Sequence, residues 1–251
     1  MKKMYRLVII MVAVAALLMF SAPVDASKMD DGIKSSAKKS YVFRNYLKGD
    51  DIKIHSKDGA VTLTGTVAEE SHKSLAQETV ASLPNVTSVD NKLEVKGASP
   101  ADNPDVWITT KVKTVLLFHR NVSVITEVNT KNGIVTLQGK ASNQAEKDLT
   151  TEYAKDVEGV KGVNNEMAVA KTGIRKQSVG EQIDDASITA QVKMTLLYHR
   201  STSGIKTSVA TKRGVVTLSG KAKNAAERDL AAKYAEDVKG VKSVNNQMTI
   251  G

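Results

Sequence analysis

Two histidines in equivalent local sequences are the first residues to consider for chemistry. His119 and His199 each stand between an aromatic residue and an arginine. A repeated histidine could bind a metal ion, but neither has a second histidine or a paired carboxylate at ligand spacing. We therefore interpret both as helix-end residues, where a histidine interacts favourably with the helix dipole. His55 and His72 have no counterpart elsewhere in the chain, so no metal site and no cofactor are predicted.

The segment from Gly133 to Lys140 has the glycines and the lysine of a phosphate-binding loop. The spacing argues against that interpretation, because five residues separate the glycines and Ala141 stands where magnesium would need a hydroxyl. The segment 159–162 has the form of a GXXG RNA-binding loop, but it joins a helix to a strand instead of two helices. The remaining Ser, His and Asp residues form no recognisable triad. We predict no catalytic residue, no enzymatic activity and no nucleic-acid partner.

The first 26 residues have the layout of a secretory signal peptide. A basic start is followed by an uncharged apolar run from Leu7 to Phe20, and then by Pro23 and small residues up to Ala26. The run is about 14 residues long, whereas a membrane-spanning helix needs roughly 20. We predict a signal peptide at residues 1–26, cleaved after Ala26, and a periplasmic location. An uncleaved membrane anchor is the alternative.

Charge and cysteine content limit the classes of function. The chain has no cysteine, which excludes disulfides, thiolate nucleophiles and cysteine-based metal sites. The formal charge of +9 falls to +7 when the signal residues, which carry a net +2, are removed. The excess is about +1 for residues 27–100, +2 for 101–180 and +4 for 181–251. A basic surface outside the cytoplasm favours anionic lipid or another anionic envelope polymer as partner, with a merely solubilising surface as the alternative.

Most of the chain consists of one pattern repeated three times. The pattern begins with a glycine-bounded strand at 59–66, 133–140 and 214–221, and a valine- and asparagine-containing segment follows at 86–91, 160–165 and 241–246. Self-similarity at a fixed spacing is typical of an array of equivalent units. We assign domains to residues 28–97, 105–170 and 184–251, with linkers at 98–104 and 171–183.

The second unit gives the order of elements most clearly. Asp105 can cap a helix whose apolar face includes Ile108 and Val112, and Asp185 opens the corresponding helix in the third unit. The pair Asn132-Gly133 predicts a hairpin turn between two strands, because it readily adopts positive φ. A second amphipathic helix and a last strand follow.

The predicted fold class is therefore α+β: three tandem small αββαβ two-layer sandwiches, each a three-stranded sheet covered by two helices. Eight glycines are predicted to shape the turns and strand ends: Gly59, Gly65, Gly133, Gly139, Gly159, Gly214, Gly220 and Gly240.

The repeated pattern resembles the BON domain of bacterial envelope proteins. The resemblance rests on Gly-x-Val-x-Leu-x-Gly, a helix ending at Gly-Val, and Val-x-Asn, and it covers about residues 28–251. The second unit matches at Gly133, Val135, Leu137, Gly139, Gly159, Val160, Val163 and Asn165, and the third at Gly214, Val216, Leu218, Gly220, Gly240, Val241, Val244 and Asn246. The first unit lacks the glycine before Val86. A signal peptide followed by tandem copies is similar to osmotically inducible periplasmic members of the family. The resemblance implies a non-enzymatic protein that binds phospholipid and supports envelope integrity under osmotic stress.

Trp107 and three cations are the candidate lipid-binding residues. Trp107 is the only tryptophan, and the third unit has Ser187 in its place, so the fold does not require an aromatic side chain there. A tryptophan near Lys111 suits the membrane interface, and Lys193 and Arg200 belong to the basic third unit. The alternative is that Trp107 packs between the second and first units.

The predicted partner is an anionic phospholipid surface. A chaperone-like module that binds unfolded or outer-membrane proteins through exposed sheet edges is the second hypothesis. The sequence leaves the oligomeric state open.

Overall fold

The structure is a computed structural model that describes residues 23–96, 103–122, 126–170, 182–202 and 206–251. The predicted signal peptide, except for its last residues, and most of both predicted linkers lie outside the described residues. Within the described ranges the chain forms three sheets, one for each repeated unit.

The first unit contains a three-stranded sheet and three helical segments. Its elements are α1 (Pro23–Lys39), α2 (Tyr41–Asn45), β1 (Asp51–Lys57), β2 (Ala60–Val67), α3 (Glu70–Ala81) and β3 (Ser88–Val95). The central strand β2 pairs antiparallel with β1 and parallel with β3. The first helix is interrupted at Ser40, whose hydroxyl accepts a hydrogen bond from the Phe43 amide and so caps α2.

The second and third units repeat this topology. The second has α4 (Pro104–Phe118), β4 (Thr126–Lys131), β5 (Ile134–Ala141), α5 (Gln144–Asp156), β6 (Gly162–Asn165) and β7 (Ala168–Val169). The third has α6 (Asp185–Tyr198), β8 (Lys206–Lys212), β9 (Val215–Ala222), α7 (Ala225–Glu236), β10 (Ser243–Asn246) and β11 (Thr249–Ile250). The predicted α+β architecture of tandem αββαβ units is confirmed.

The last strand of units two and three is split into two pieces, which the sequence did not predict. The side-chain oxygen of Asn165 accepts the Met167 amide at 2.9 Å, and Asn246 accepts the Met248 amide at 3.1 Å. These amides donate to a side chain at the break, although the Leu93 amide also donates to Asn91 in the first unit, where β3 stays continuous. The same asparagines donate to carbonyls of the second helix; Asn165, for example, donates to the Lys147 carbonyl at 2.9 Å. The asparagine of the Val-x-Asn motif therefore ties the last strand to the helix above it.

Asp105 and Asp185 have a different role from the predicted helix cap. Asn103 and Asp184 provide the caps, while Asp105 lies in the first turn of α4 and binds the hairpin. The Asp105 carboxylate accepts the backbone amides of Asn132 and Gly133 at 2.6 and 2.8 Å. The sequence suggested a cap because an aspartate near a helix start fits either role, and only the tertiary contact separates them.

The same contact recurs in the other two units. Asp185 accepts the amides of Arg213 and Gly214 at 2.7 and 2.8 Å, and Asp30 accepts those of Asp58 and Gly59 at 2.9 and 3.1 Å. One carboxylate in each unit therefore holds the hairpin turn against the first helix.

The eight glycines of the repeated pattern all have positive φ, between 79° and 130°. The reason is clearest at Gly220, where an added Cβ would lie 2.1 Å from the carbonyl oxygen of Lys206. The neighbouring strand approaches the backbone too closely for any side chain. Gly65 shows the same approach in the first unit, 2.0 Å from the carbonyl oxygen of Asp51.

The core of each unit lies between its sheet and its helices. Inward side chains of the central strand, such as Val135 and Leu137, have no exposed surface, and their neighbours along the strand face outward. Helix α6 is exceptional, because nearly all of its residues are buried, including the polar residues Gln191 and Thr195. It is covered because α3 of the first unit and α4 of the second both pack against it.

Candidate functional site

Trp107 lies on α4 at a contact with the third unit. Its ring is half-buried, and its centroid lies 5.7 Å from that of Tyr198 on α6 in an edge-to-face arrangement. The aromatic partner of Trp107 thus belongs to the third unit. An aromatic pair of this kind contributes to packing between units.

Lys111 is buried. Its side chain is 6% exposed, and its ammonium group donates a 2.6 Å hydrogen bond to the Glu158 carbonyl while lying 5.7 Å from the Trp107 ring centroid. Burial lowers the pKa of Lys111, partly opposed by the charge of Glu158. Lys111 therefore stabilises its own unit and does not face a membrane.

Lys193 and Arg200 both bridge two units. Lys193 forms an ion pair with Glu78 of the first unit at 2.9 Å. The Arg200 guanidinium donates to the carbonyls of Val157 and Val160 in the second unit, at 3.3 and 2.8 Å. Of the predicted lipid-binding residues Trp107, Lys111, Lys193 and Arg200, only Lys111 is buried, and the Arg200 side chain is 48% exposed. Lipid binding at Trp107, Lys193 and Arg200 therefore remains a prediction.

The interface between the second and third units is centred on the two repeated histidines. Both are C-cap residues, as the helix-end interpretation predicted, and neither has any exposed surface. The Nε2 atoms of His119 and His199 lie 3.3 Å apart. One nitrogen must donate and the other accept, because two N–H groups facing each other at this distance would repel.

Each histidine is stacked on a tyrosine of its own unit. The ring centroids of His119 and Tyr153 are 3.7 Å apart, and those of His199 and Tyr234 are 4.0 Å apart. The tyrosine hydroxyl then donates across the interface, from Tyr153 to Asp237 at 2.5 Å and from Tyr234 to Asp156 at 2.7 Å.

The same two carboxylates lie beside the histidines. Nδ1 of His119 is 3.0 Å from Asp237, and Nδ1 of His199 is 3.2 Å from Asp156. Neither contact is aligned as a hydrogen bond, although each carboxylate lies within hydrogen-bond distance of the ring nitrogen. Each aspartate is instead satisfied by hydroxyl or amide donors.

The arginines complete a reciprocal arrangement. Arg120 donates to the carbonyls of Val238 and Val241 at 2.9 and 2.6 Å, as Arg200 does to the equivalent valines. The backbone amides of Arg120 and Arg200 also donate across, to the carbonyls of Asp237 and Asp156 at 2.8 and 2.7 Å. Each of these contacts is thus made in both directions, as in a two-fold interface, whereas the Trp107–Tyr198 contact is not, because Ser187 stands at the equivalent position of the third unit.

Burial sets the proton affinities at this interface. It lowers the pKa of His119, opposed by Asp237 and reinforced by the neighbouring His199. Burial also raises the pKa of Tyr153, together with the adjacent Asp237. Burial would raise the pKa of Asp156, but the contact with His199 and the hydroxyls of Ser201 and Tyr234 hold it below its usual value. The interface therefore favours the neutral form of His119 and the ionised form of Asp156.

The first unit lacks this set of residues. Counted from the hairpin glycine, Thr79 and Ser82 stand where the other units have the tyrosine and aspartate. Counted from the carboxylate that binds the hairpin, Arg44 and Asn45 stand where they have the histidine and arginine. The interface was not predicted from the sequence, although His-Arg and Tyr-x-x-Asp occur together in units two and three only.

A second feature is the outer face of the third sheet. Lys206 and Lys221 stand directly opposite each other on β8 and β9, and Lys212 follows on the same face. Arg213, Lys223 and Lys242 flank them, and all six side chains are exposed. We call these six residues the basic sheet face.

The basic sheet face contains no acidic residue, since segments 206–224 and 238–251 have none. The second unit differs, because exposed Glu127 and Glu166 stand where the third has Ser208 and Gln247. The added charge of the third unit is therefore concentrated on one face of its sheet.

Two absences apply to the described ranges. No group of three or more His, Cys, Asp or Glu residues there could hold a metal ion. None of the helices described is both long and apolar enough to cross a membrane.

Comparisons with known proteins give a consistent picture. A family model described as BON domain matches residues 29–97, 104–171 and 184–251. The chain is 37% identical over 147 residues to osmotically-inducible protein Y of Escherichia coli K12, covering 57% of this chain and 71% of that protein. It is 34% identical over 113 residues to the outer membrane lipoprotein DolP of Haemophilus influenzae, covering 45% of this chain and 56% of that protein. A protein of Anaplasma centrale, from the gshII 5' region, is 31% identical over 140 residues, which cover 56% of this chain and 90% of that protein.

Proposed function

Because the chain belongs to the BON domain family, we propose that it is a non-enzymatic periplasmic envelope protein that binds anionic phospholipid surfaces. The similarity to an osmotically inducible protein and to an outer membrane lipoprotein supports a role in envelope integrity under osmotic stress. The predicted signal peptide supports export.

The basic sheet face is the observation that carries this proposal. Like charges opposite each other on neighbouring strands destabilise a sheet, so folding does not favour the Lys206–Lys221 pair. An anionic surface would remove that repulsion. Each lysine near such a membrane contributes about 1 kcal/mol, so several together give useful affinity that salt should weaken.

Vesicle sedimentation tests the proposal. The variant Lys206→Gln, Lys212→Gln, Lys221→Gln should bind vesicles containing anionic phospholipid on the order of a hundredfold more weakly than the wild-type chain, because about 3 kcal/mol is lost. The matched control removes the same charge from the second unit, at Lys131, Lys140 and Lys161. Equal losses in both variants, or equal wild-type binding to neutral vesicles, would refute a specific basic sheet face.

The chaperone-like alternative has one observation in its favour. In the described sheets the outer strands pair on one side only; β1 and β3, for example, each pair only with β2. Such edges can accept an extended peptide, although exposed lysines on an edge oppose strand addition. Suppression of aggregation of an unfolded client at low protein ratios, unchanged by the lysine substitutions, would favour this function over lipid binding.

A further inference from the structure

The interface between the second and third units is self-complementary. Each unit contributes a histidine, an arginine, a tyrosine and an aspartate, and each receives the same contacts that it gives. In a two-fold interface one surface fits a copy of itself. The second unit alone therefore carries both halves of these four-residue contacts.

The positions that differ between the two units preserve the same contacts. Asn121 donates its side-chain amide to Asp237, and Ser201 donates its hydroxyl to Asp156 at 2.5 Å. The amides of Glu158 and Lys239 donate to the carbonyls of Tyr198 and Phe118 at 3.0 Å each, through the backbone, which any of these residues can provide. Replacing the third unit by the second therefore keeps a donor for each of these contacts, but it removes the Lys239 ammonium, which donates to the Leu117 carbonyl at 2.6 Å and which Glu158 cannot replace.

We propose that this interface is a docking surface for a second copy of the chain, and that the third unit normally occupies it within the same chain. Two units on one chain meet at high effective concentration, so pairing within the chain wins over pairing between chains. When the internal partner is disabled, the second unit pairs with the second unit of another copy. This inference does not depend on lipid binding.

The first unit offers a way to disable one half without harming the fold. Its Arg44, Asn45, Thr79 and Ser82 occupy the equivalent positions in a folded unit. The variant His199→Arg, Arg200→Asn, Tyr234→Thr, Asp237→Ser transfers them to the third unit. The corresponding variant of the second unit changes His119, Arg120, Tyr153 and Asp156 in the same way.

Light scattering after size-exclusion chromatography of the full chain at neutral pH is the test. We expect the wild type to have the mass of one chain, each single-unit variant to have twice that mass, and the variant with both units changed to return to one. Single-unit variants that keep the mass of one chain while melting cooperatively would overturn the proposal, as would a dimer of the variant changed in both units. Should a four-residue variant fail to melt cooperatively, the two-residue variants Tyr234→Thr, Asp237→Ser and Tyr153→Thr, Asp156→Ser are measured instead, with the same expectations.

Discussion

The Nε2 atoms of His119 and His199 lie 3.3 Å apart, between two units whose sequences place these residues 80 positions from each other. The pair faces Asp237 and Asp156 and stacks on tyrosines, and Lys239 adds a positive charge close by. Only one proton fits between the two nitrogens, so the hydrogen bond between the rings is lost when both nitrogens are protonated.

Acid should weaken the protein through His119. Its folded pKa lies below that of an exposed histidine, about 6.5, so the unfolded chain takes up the proton first as pH falls. Stability is therefore full above about pH 6.5 and is lost below it. We expect the melting temperature to fall between pH 7.5 and 5.5, by roughly 2–4 °C for each kcal/mol lost.

Substitutions identify the titrating group in that experiment. His119→Gln should flatten the dependence of the melting temperature on pH, whereas His55→Gln, at an exposed position, should leave it unchanged. An unaltered slope in His119→Gln would show that another group is responsible. The depressed pKa of Asp156 acts separately, because its contribution is lost only as pH falls below about 4.

Removing the hairpin carboxylate should destabilise the third unit. Asp185→Ala leaves the amides of Arg213 and Gly214 without their acceptor, at a cost of about 1–3 kcal/mol. Arg213 also has a φ of 53°, which is unfavourable for a non-glycine residue, so loss of the contact should destabilise the turn further. Urea unfolding measures the change, and Asp229→Ala, at an exposed position of α7, is the control, expected within about 0.5 kcal/mol of wild type.

Two glycine substitutions should act in opposite directions. Gly220→Ala places a Cβ against the Lys206 carbonyl at φ 128°, and we expect a loss of at least about 2 kcal/mol. Gly32→Ala lies inside α1 with no atom within 4 Å of the new Cβ, so helix propensity should raise the free energy of unfolding by about 0.5–1 kcal/mol. Equal effects in urea unfolding would contradict the assigned backbone roles.

Trp107 can report how the protein meets a vesicle. If binding uses the basic sheet face, the half-buried contact with Tyr198 is unaffected and the fluorescence emission maximum should stay in place when anionic vesicles are added. Insertion of the ring into a membrane would shift the emission maximum to shorter wavelength and would support the predicted lipid contact at Trp107. Since Trp107 is the only tryptophan, no subtraction is needed.

The fold was predictable because local signals agree in three copies: a helical period, a glycine turn, an alternating strand and a second helix. The role of Asp105 was not, since its binding to Asn132 is a tertiary contact that a helix-start pattern does not contain. The burial of Lys111 was not predictable for a similar reason. Lys111 lies on the polar side of the helix considered alone, but in the folded unit it is buried and donates to the Glu158 carbonyl. The histidine pair depends on residues from both units, and the sequence showed only that they repeat.

The pairing of units two and three has a consequence for the order in which the chain appears. The chain emerges amino-terminal end first, whether from a ribosome or from a membrane channel, so the second unit is complete while the third is still to come. At 5–20 residues per second, the remaining 80 or so residues need roughly 4–16 s. During that interval the half-interface around His119 and Asp156 is uncovered, and a neighbouring nascent chain is the only source of a matching surface. A high density of emerging chains should therefore increase pairing between chains before the third unit of each chain is available to bind its own second unit.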